Sequence, residues 1–386
     1  MSGSNGSAKG GADDIVCDVA IVGAGPAGTA MAAHLGQLGV KKVVLFDKHD
    51  FPRDKTCGSG ISPKGIEVLK ALGVWDAVAP ETYRINGIRL ITPGGRESWQ
   101  QAGDALEAVV CQRRTLDHLL LKRATGNGVQ FVPHFTADSL LEERGRVVGV
   151  KAKDGRTVRA KYTVVAGGTH CKLAPPSEGG AERPRHIIQA IMGWWENVPF
   201  KPNHVEMIFD TDIKPYYGWL FPESESRVNI GITYEDTNEK HNARELFARF
   251  LDKYYKERLT GAKQLGGWKG HPVAYSYKIE KLTSPGRIVI GESGLLTHPA
   301  TAEGIYQGMK SGMLAAEALH AILWSGVAEE RAFERYERDV KKAFQLSFLG
   351  GGLFRHAVKT PVLDWIIAAA ERPAVASATA KLMASM

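Results

Sequence analysis

The sequence predicts an α/β protein in which a parallel, Rossmann-like sheet with covering helices carries an inserted antiparallel sheet. Three observations predict this fold class. An apolar, β-branched segment over Ile15–Val22 leads directly into a glycine-rich turn and a helical stretch, as a buried parallel strand does. Strand-like and helical segments then follow one another as far as Val165. Between residues 187 and 234 the strand-like segments are rich in aromatic residues, which indicates a second, separate sheet.

The glycine-rich turn is the most specific local signal. Gly23-Ala24-Gly25-Pro26-Ala27-Gly28 precedes a predicted helix over Thr29–Leu38, and a second strand, Lys42–Phe46, ends at Asp47. In such a unit the first glycine permits a tight turn, the second lets the backbone approach a pyrophosphate, and the third allows close packing of helix and strand. The helix N-terminus favours phosphate, and the acid accepts hydrogen bonds from a ribose. The sequence therefore predicts a dinucleotide site at Gly23, Gly25, Ala27, Gly28, Asp47 and Lys48.

The other elements are predicted from alternation, helical periodicity and turn residues. Pro175–Arg185 is rich in Pro, Gly and charge, which indicates a linker. The remaining predicted elements, in chain order, are a helix from Arg113, strands Gln130–Val132, Val147–Ala152, Thr157–Val165, Ile187–Trp195, His204–Phe209, Trp219–Phe221 and Val228–Tyr234, a helix Ala243–Tyr254, a strand Arg287–Ile290 and a helix Ile305–Trp324.

These elements predict a division into domains. Residues 1–14 are expected to be a flexible tail because they contain Ser, Gly, Ala and acids without an apolar core. The nucleotide-binding domain is expected over residues 15–85, 106–175 and 285–330, the substrate-binding domain over 86–105 and 176–284, and a helical region over 331–386.

The composition argues against several classes of protein. The formal charge is +7 with a pI near 9.1, but Lys and Arg are scattered, so no nucleic-acid partner is predicted. The four cysteines lie far apart and the histidines are isolated, which argues against a metal site and suits a reducing cytoplasm. No stretch approaches the roughly 20 apolar residues that span a bilayer. A cytoplasmic protein is expected, and peripheral membrane contact through the amphipathic segments Met313–Trp324 or Leu363–Ala370 stays open.

Three further segments resemble the geranylgeranyl reductase family, within the superfamily of aromatic-hydroxylase-type flavoproteins and flavin halogenases. Phe51–Pro63 resembles the family's Pro-Arg…Lys-Pro-Cys-Gly-Gly-Gly-Leu-Ser-Pro segment, with Thr56 replacing Pro and Ser59 replacing Gly. Tyr217–Pro222 matches the family signature YxWxFP, and Gly291–Ile305 is similar to GDAAG…P-x-x-GEGI with the same spacing. Together with the glycine-rich turn, the resemblance extends from Asp18 to about Trp324.

The resemblance implies FAD as cofactor and a fold of the glutathione-reductase/p-hydroxybenzoate-hydroxylase type. A turn from Pro299 to Gly304 would bring backbone amides and a helix N-terminus to the pyrimidine edge of the flavin, where they would stabilise the negative charge of the reduced ring. The resemblance adds to the predicted FAD site the residues Cys57, Gly58, Ser59, Gly60, Arg113, Gly167, Gly291, Glu292, Pro299, Glu303, Gly304 and Ile305.

Besides Thr56 and Ser59, the chain departs from the family pattern at three places. Glu292 replaces an Asp, so its longer side chain must make a different contact. Ala302 replaces a Gly, which narrows the backbone conformations allowed there. Ala166-Gly167-Gly168-Thr169 stands where the superfamily has Gly-Ala-Asp-Gly, so an acid that assists the reductant is missing. The expected electron donor is therefore NADPH or an external one, such as a separate reductase or a ferredoxin.

The reaction implied by the resemblance is reduction of a carbon–carbon double bond in an isoprenoid or similar lipophilic substrate, by hydride transfer from reduced flavin. The protein's part is to hold the alkene against the flavin and to exclude water. The candidate catalytic residues are Cys57, on the loop that faces the flavin in the family, Tyr217, and His298 as a proton donor. The candidate substrate wall consists of Tyr217, Trp219, Phe221, Trp194 and Trp195.

Other chemistries stay open at the level of sequence. An FAD-dependent monooxygenase, hydroxylating an aromatic or polyketide-type metabolite, would use the same fold. A halogenase is disfavoured because its lysine is missing: the chain has none between Lys70 and Lys122. The halogenase motif WxWxIP also differs from this chain at Tyr217 and Phe221. A non-catalytic flavin-binding subunit is the third alternative.

Overall fold

A computed structural model of the chain describes residues 15–101, 107–174, 186–235 and 242–370. The predicted tail at residues 1–14, the predicted linker Pro175–Arg185 and the last part of the predicted C-terminal helical region lie outside the described residues.

Strands and helices follow one another through most of the described chain. Its strands are β1 (Ile15–Val22), β2 (Val43–Phe46), β3 (Gly60–Ile61), β4 (Tyr83–Ile85), β5 (Gly87–Ile91), β6 (Glu97–Gln101), β7 (Ala108–Val110), β8 (Gln130–Val132), β9 (Ala137–Glu143), β10 (Arg146–Ala152), β11 (Thr157–Val165), β12 (His186–Glu196), β13 (His204–Ile208), β14 (Gly218–Pro222), β15 (Arg227–Tyr234), β16 (Lys263–Gln264), β17 (Lys269–Tyr275), β18 (Thr283–Ser284) and β19 (Arg287–Val289). Its helices are α1 (Pro26–Gln37), α2 (Pro63–Ala71), α3 (Trp75–Val78), α4 (Arg113–Gly126), α5 (Ala243–Leu259), α6 (Ile305–Leu323), α7 (Glu329–Val358) and α8 (Val362–Ala370).

The first sheet is the predicted parallel one. Its strand order is β18-β19-β11-β1-β2-β8, and β19, β11, β1, β2 and β8 run parallel. The antiparallel strands β9 and β10 extend it from β11. Side chains alternate across β1: Val19 and Ile21 pack with the residues of α1, α4 and α6, whereas Ala20 and Val22 pack into the cluster on the opposite face.

The second sheet has the order β16-β12-β15-β14-β13-β5-β6, with β17 beside β12. Its pairs are antiparallel except β13 with β5, which run parallel. One face packs against α5. The other carries Met192, Tyr217 and Trp219 and contacts residues of α7 and α8. The predicted fold class, an FAD-type Rossmann-like domain with a largely antiparallel second sheet, is confirmed.

Helix α1 begins at Pro26, three residues before the predicted start at Thr29. Proline suits the first turn of a helix because its φ is already helical and its missing N–H would have no partner there. Because α1 begins at Pro26, its N-terminus lies directly at the glycine-rich turn.

Helices α1 and α6 pack against each other through glycines. A Cβ added to Gly312 would lie 2.5 Å from the carbonyl oxygen of Ala27, and one added to Gly291 would lie 2.9 Å from the Cβ of Ala27. A Cβ on Gly308 would lie 3.4 Å from the same Cβ. At Gly312 the two helices therefore approach more closely than a side chain larger than hydrogen would allow.

We expect opposite effects from Gly→Ala substitutions in two helix interiors. Gly312→Ala should lower the free energy of unfolding by about 1–3 kcal/mol, because its methyl group overlaps a backbone oxygen. Gly350→Ala, in α7, should raise it by about 0.5–1 kcal/mol, since that Cβ meets no described atom within 4 Å. Urea unfolding measures both, and a stabilised Gly312→Ala protein would contradict the packing described here.

Candidate active site

One continuous cavity of about 1090 Å³ lies between the two sheets. It begins at the carboxyl ends of β1, β2 and β11, where parallel α/β sheets bind ligands, and continues beneath the second sheet. Its volume is at or above the upper end of the roughly 300–1,000 Å³ typical of small-molecule sites. The predicted site residues that line it are Gly23, Gly25, Ala27, Asp47, Lys48, Cys57, Gly58, Ser59, Gly60, Arg113, Gly167, Tyr217, Trp219, Phe221, Glu292, Glu303, Gly304 and Ile305.

The three glycines of the turn differ in what surrounds them. A Cβ on Gly23, whose φ is +107°, would lie 2.4 Å from the carbonyl oxygen of Ala166. A Cβ on Gly28 would lie 1.9 Å from the carbonyl oxygen of Gly23. At Gly25 the nearest described atom is Nη2 of Arg53, at 4.0 Å. The fold itself requires Gly23 and Gly28, whereas the space before Gly25 belongs to the cavity.

Asp47 is fixed at the end of β2 by two backbone amides. Its Oδ2 accepts a hydrogen bond from the N–H of Ala24 at 2.8 Å, and its Oδ1 accepts one from His49 at 2.9 Å. Each carboxylate oxygen keeps a lone pair for a further donor. The first turn of α1, which Gly25 caps without a side-chain hydrogen bond, presents its amides beside this carboxylate.

Positive charge is concentrated on the same side of the cavity. Asp117, fully buried, accepts two hydrogen bonds from Arg113, at 2.7 and 2.8 Å, and lies 3.3 Å from Nη2 of Arg53. Burial, and then the charge of Arg113, lower the pKa of Lys55 to about 8. Two arginines and a lysine thus line the cavity around one buried carboxylate, which suits an anionic ligand.

The segment after β19 reaches both the first sheet and β17. Oε1 of Glu292 accepts a hydrogen bond from the N–H of Ala274 at 3.0 Å, so the longer side chain at this position is used to hold β17. Oγ of Ser293 accepts one from Gly168 at 2.9 Å. Gly304 then caps α6, again without a side-chain hydrogen bond, and the amides of the first turn lie at the cavity.

Two departures from the family pattern have the same backbone feature. Ser59 and Ala302 have φ of +65° and +54°, in the left-handed region that favours glycine. The family's glycine at both positions is explained by this conformation. Ser59 compensates with a hydrogen bond from its Oγ to the carbonyl oxygen of Cys57, at 3.3 Å.

Side chains from the second sheet form an apolar chamber in the deeper part of the cavity. Alternate residues of β13 and β14 and of the segments beside them face it, including Val205, Met207, Phe209, Tyr217, Trp219 and Phe221. The hydroxyl of Tyr217 donates to the carbonyl oxygen of Thr301 at 2.6 Å, and burial raises its pKa. Nε1 of Trp219 donates to Oδ1 of Asn229 at 2.6 Å.

Cys57 lies where the polar and apolar parts of the cavity meet. Its Sγ accepts a hydrogen bond from the N–H of Ser59 at 3.3 Å. The neighbouring carbonyl oxygen of Gly58 accepts one from Nδ2 of Asn229, also at 3.3 Å, which ties this loop to β15. The thiol is therefore held at the junction of the two sheets.

Six predicted residues lie outside the cavity lining, and one of them, Trp195, packs on the opposite face of the second sheet against Phe247. Gly28 and Gly291 are packing residues, and Trp194 donates from Nε1 to Oε1 of Glu223 at 3.0 Å. Pro299 lies in the buried turn next to His298. The ring of His298 is fully buried, accepts from the amides of Ala300 and Thr301, and hydrogen-bonds to Ser347. Burial lowers the pKa of His298 to about 4, so a neutral ring holds the turn in place.

Other residues of the site escaped sequence reasoning. Asn229, fully buried, is the asparagine in an otherwise apolar stretch of β15, and that polar residue was a signal. Arg53 could be suspected from its place in the resemblance segment. Met192 and Phe354 come from distant parts of the chain and have no local signal.

A family model described as an FAD-binding domain matches residues 16–346. The chain belongs to this FAD-binding family. A menaquinone reductase of Mycobacterium tuberculosis is 29% identical over 355 residues, which cover 87% of this chain and 84% of that protein. A digeranylgeranylglycerophospholipid reductase of Methanocella arvoryzae is 24% identical over 344 residues, covering 84% and 83% of the two chains. The predicted resemblance to geranylgeranyl reductases is thereby confirmed, and the chain is an FAD-dependent oxidoreductase.

Solved structures show the same fold. A geranylgeranyl bacteriochlorophyll reductase-like protein of Thermoplasma acidophilum superposes with a TM-score of 0.80 at 24% identity, covering 90% of this chain and 88% of that one. The flavin-dependent brominase Bmp2 also gives a TM-score of 0.80, at 20% identity, and covers 96% and 94%. Because both identities are below 25%, these likenesses bear on the fold and not on the reaction.

The residues of the cavity fit FAD. The open space before Gly25, the carboxylate of Asp47 and the cations Arg53 and Arg113 suit a ribose and a pyrophosphate. The first turn of α6 also lies at the cavity, and its backbone amides would be available to donate hydrogen bonds to the cofactor. Bound FAD supplies a carrier that takes up and releases two electrons as hydride.

We expect Gly25→Ala and Gly28→Ala to separate cofactor binding from folding. Gly25 has φ −73° and ψ −179°, which alanine adopts, so the Gly25→Ala protein should fold with an unchanged circular dichroism spectrum but lose most of its FAD absorbance. Gly28→Ala should lose folded protein as well, because its methyl group overlaps a carbonyl oxygen. Full FAD content in a folded Gly25→Ala protein would contradict this placement of the pyrophosphate.

Proposed function

We propose that the protein reduces carbon–carbon double bonds in the isoprenoid chain of a lipid, with hydride supplied by reduced FAD. The observation that carries the proposal is the continuity of the cavity: the part that fits FAD opens into an apolar chamber lined by alternate residues of the second sheet. The names of the relatives, a menaquinone reductase and a digeranylgeranylglycerophospholipid reductase, support this substrate class.

The side chains of the chamber bind and orient the substrate in this proposal. Trp219 and Phe221, whose ring centroids lie 6.2 Å apart, give an isoprenoid chain a rigid apolar wall and exclude water. Tyr217 already donates its hydroxyl hydrogen to Thr301, so its role is to shape the chamber through its ring. Cys57 is the side chain at the junction where the reacting carbons would meet the flavin, and we assign it to substrate positioning there.

The electron donor is proposed to be a protein, such as a ferredoxin or a separate reductase, with NADPH as the alternative. Gly168 stands where the superfamily places an acid, and its backbone is held by Ser293 at 2.9 Å. This position therefore offers no carboxylate to a nicotinamide cofactor.

The reaction is tested with photoreduced holoprotein, menaquinone and a geranylgeranylated glycerophospholipid, first without oxygen. We expect mass spectrometry to show a gain of two hydrogen atoms for each reduced double bond, in amounts that match the flavin oxidised. Protein carrying oxidised FAD, incubated with the same lipids, is the control and should give no product.

The monooxygenase alternative predicts a different product in the same assay. A hydroxylated lipid or aromatic compound, formed when oxygen is admitted, would contradict the reductase proposal. Supplying NADPH, reduced ferredoxin or dithionite in separate reactions identifies the donor.

We propose further that the C-terminal helices contact a membrane surface, from which a lipid substrate enters. Among the described helices, none is long and apolar enough to cross a membrane. On α7, however, Leu346, Leu349 and Leu353 follow helical spacing and are 84%, 51% and 75% exposed. Trp365 of α8 is 70% exposed. The leucines lie outside both segments that the sequence indicated, Met313–Trp324 and Leu363–Ala370, whereas Trp365 lies in the second of them.

Charge and position support a bilayer as the partner of the leucine face. The chain has no acidic residue between Asp339 and Asp364 but has Lys341, Lys342 and Lys359, all exposed, which suits anionic headgroups. Phe354, adjacent to Leu353, lines the cavity. A lipid held at the leucine face would therefore lie next to the chamber.

The triple substitution Leu346→Ser, Leu349→Ser and Leu353→Ser should lower the affinity for phosphatidylglycerol vesicles about a hundredfold, as measured by sedimentation. Burying part of each leucine contributes about 1 kcal/mol, and the three together about 3 kcal/mol. The matched control Trp324→Ser changes an equally exposed residue at the end of α6 and should keep wild-type binding. Loss of binding in the control alone would move the contact to α6 and contradict the proposal.

A further inference from the structure

Glu303 stands between the large cavity and a second, much smaller pocket. It lines both. The small pocket has a volume of about 10 Å³, close to the space that one water molecule needs. Its other lining residues are Ser62, Lys64, Tyr306, Gln307, Ala343, Phe344, Ser347 and Phe348.

The polar atoms around this pocket have unmet hydrogen-bonding capacity. Nε2 of Gln307 donates to Oε2 of Glu303 at 3.3 Å. The buried atoms Oε1 of Glu303 and Oε1 of Gln307 have no hydrogen-bond partner among the described residues. Both residues line the pocket, which has room for a water molecule, and buried polar atoms are rarely left without a partner.

The pocket also leads towards solvent. Lys64, in the first turn of α2, is exposed, and Ser62 caps that helix by accepting from the N–H of Gly65 at 3.3 Å. Lys64, Ser62 and Glu303 all line the small pocket, and Ser62 and Glu303 also line the large cavity. Ser347 of α7 closes the other side and is itself hydrogen-bonded to His298 at 3.1 Å.

We propose that Glu303 is the proton donor for the reduction, supplied from solvent through the pocket that it shares with Ser62, Gln307 and Ser347. This inference rests on the proposed function. Reduction of an alkene adds a hydride to one carbon and a proton to the other. The two electrons come from reduced FAD as the hydride, and the electron pair of the broken π bond takes the proton from the carboxyl group of Glu303. The carboxylate then regains a proton from solvent, and the pocket water relays it by accepting one proton as it gives up another.

The surroundings favour the protonated form of the carboxyl group. Burial raises the pKa of Glu303, and the hydrogen bonds of Ser62 and Gln307 and the charge of Lys64 oppose the rise only in part. The other titratable groups that face it are Tyr306 of α6 and Tyr217 before β14. Helix α7 contributes alanine, serine and phenylalanine side chains to the pocket, none of which titrates. The acid form is the one that serves as a donor, so turnover should fall as the pH rises through this raised pKa.

The test compares wild type with Glu303→Gln, Glu303→Asp and, as matched control, Glu317→Gln. Glu317 is on α6 in a partly exposed pair with His34, at 3.9 Å, away from the cavity. We expect Glu303→Gln to keep full FAD content and to reoxidise normally with ferricyanide, an electron acceptor that needs no proton from the protein. Its rate of alkene reduction should fall at least about a hundredfold. The remaining rate should no longer decrease as the pH rises. Glu303→Asp should keep part of the rate, and its rate should fall at a different pH from that of wild type. Glu317→Gln should match wild type in both respects.

A second measurement does not need the substrate. The infrared spectrum of wild type at neutral pH should contain the carbonyl band of a protonated carboxyl group, shifted in D2O and missing in Glu303→Gln. An unchanged band in that variant, loss of FAD from it, or alkene reduction within twofold of wild type would each overturn the assignment of Glu303. Failure of the proposed function gives a different result, because wild type itself would then reduce no isoprenoid lipid. The infrared measurement would still show whether Glu303 is protonated.

Discussion

The close approach of α1 and α6 is the contact on which the site depends. Gly312 lies against the backbone of Ala27 and Met31 at distances that exclude any larger side chain, and Gly308 lies beside Ala27 one turn earlier. Because both helices begin at the cavity, this packing brings two helix N-termini to one ligand. In the proposed placement of FAD, the N-terminus at Gly25 would bind the pyrophosphate and the N-terminus at Gly304 would lie at the flavin ring.

The second constraint is the connection between the two sheets. Asn229 links β15 to the loop at Gly58, and Tyr217 links the start of β14 to Thr301 in the turn before α6. Both hydrogen bonds cross from the substrate chamber to segments that line the part of the cavity that fits FAD. The aromatic wall is thereby fixed relative to the cofactor, which is what hydride transfer over a short distance requires.

The parts of the site that are formed by neighbouring residues of the chain could be predicted from the sequence. The strand, turn, helix and acid around Gly23 and Asp47 are specified by adjacent residues, and the structure brings them together as the spacing predicts. Ser59 and Ala302 were recognisable as departures, but the positive φ that explains them is a property of the folded backbone. The predicted domain boundaries and the roles of individual site residues stay predictions.

Long-range packing accounts for what sequence reasoning did not foresee. The ring of His298 faces Ser347 of α7 and not the cavity, and this orientation depends on a helix about fifty residues later in the chain. Met192 and Trp194 share one face of β12 and pack into the same apolar cluster, but of the two only Met192 lines the cavity, and alternation does not say how far along the strand the cavity extends. The leucine face of α7 is apolar by periodicity, but its exposure follows from how α7 lies on the second sheet.

The central claim, that two helix N-termini bind one cofactor, is tested most directly by hydrogen–deuterium exchange of the apoprotein and the FAD-bound protein. The account predicts that FAD slows exchange at the backbone amides of residues 27–29 and also at those of residues 302–307. Protection confined to residues 27–29 would contradict it, because the ring of the flavin would then lie away from α6 and from the aromatic chamber.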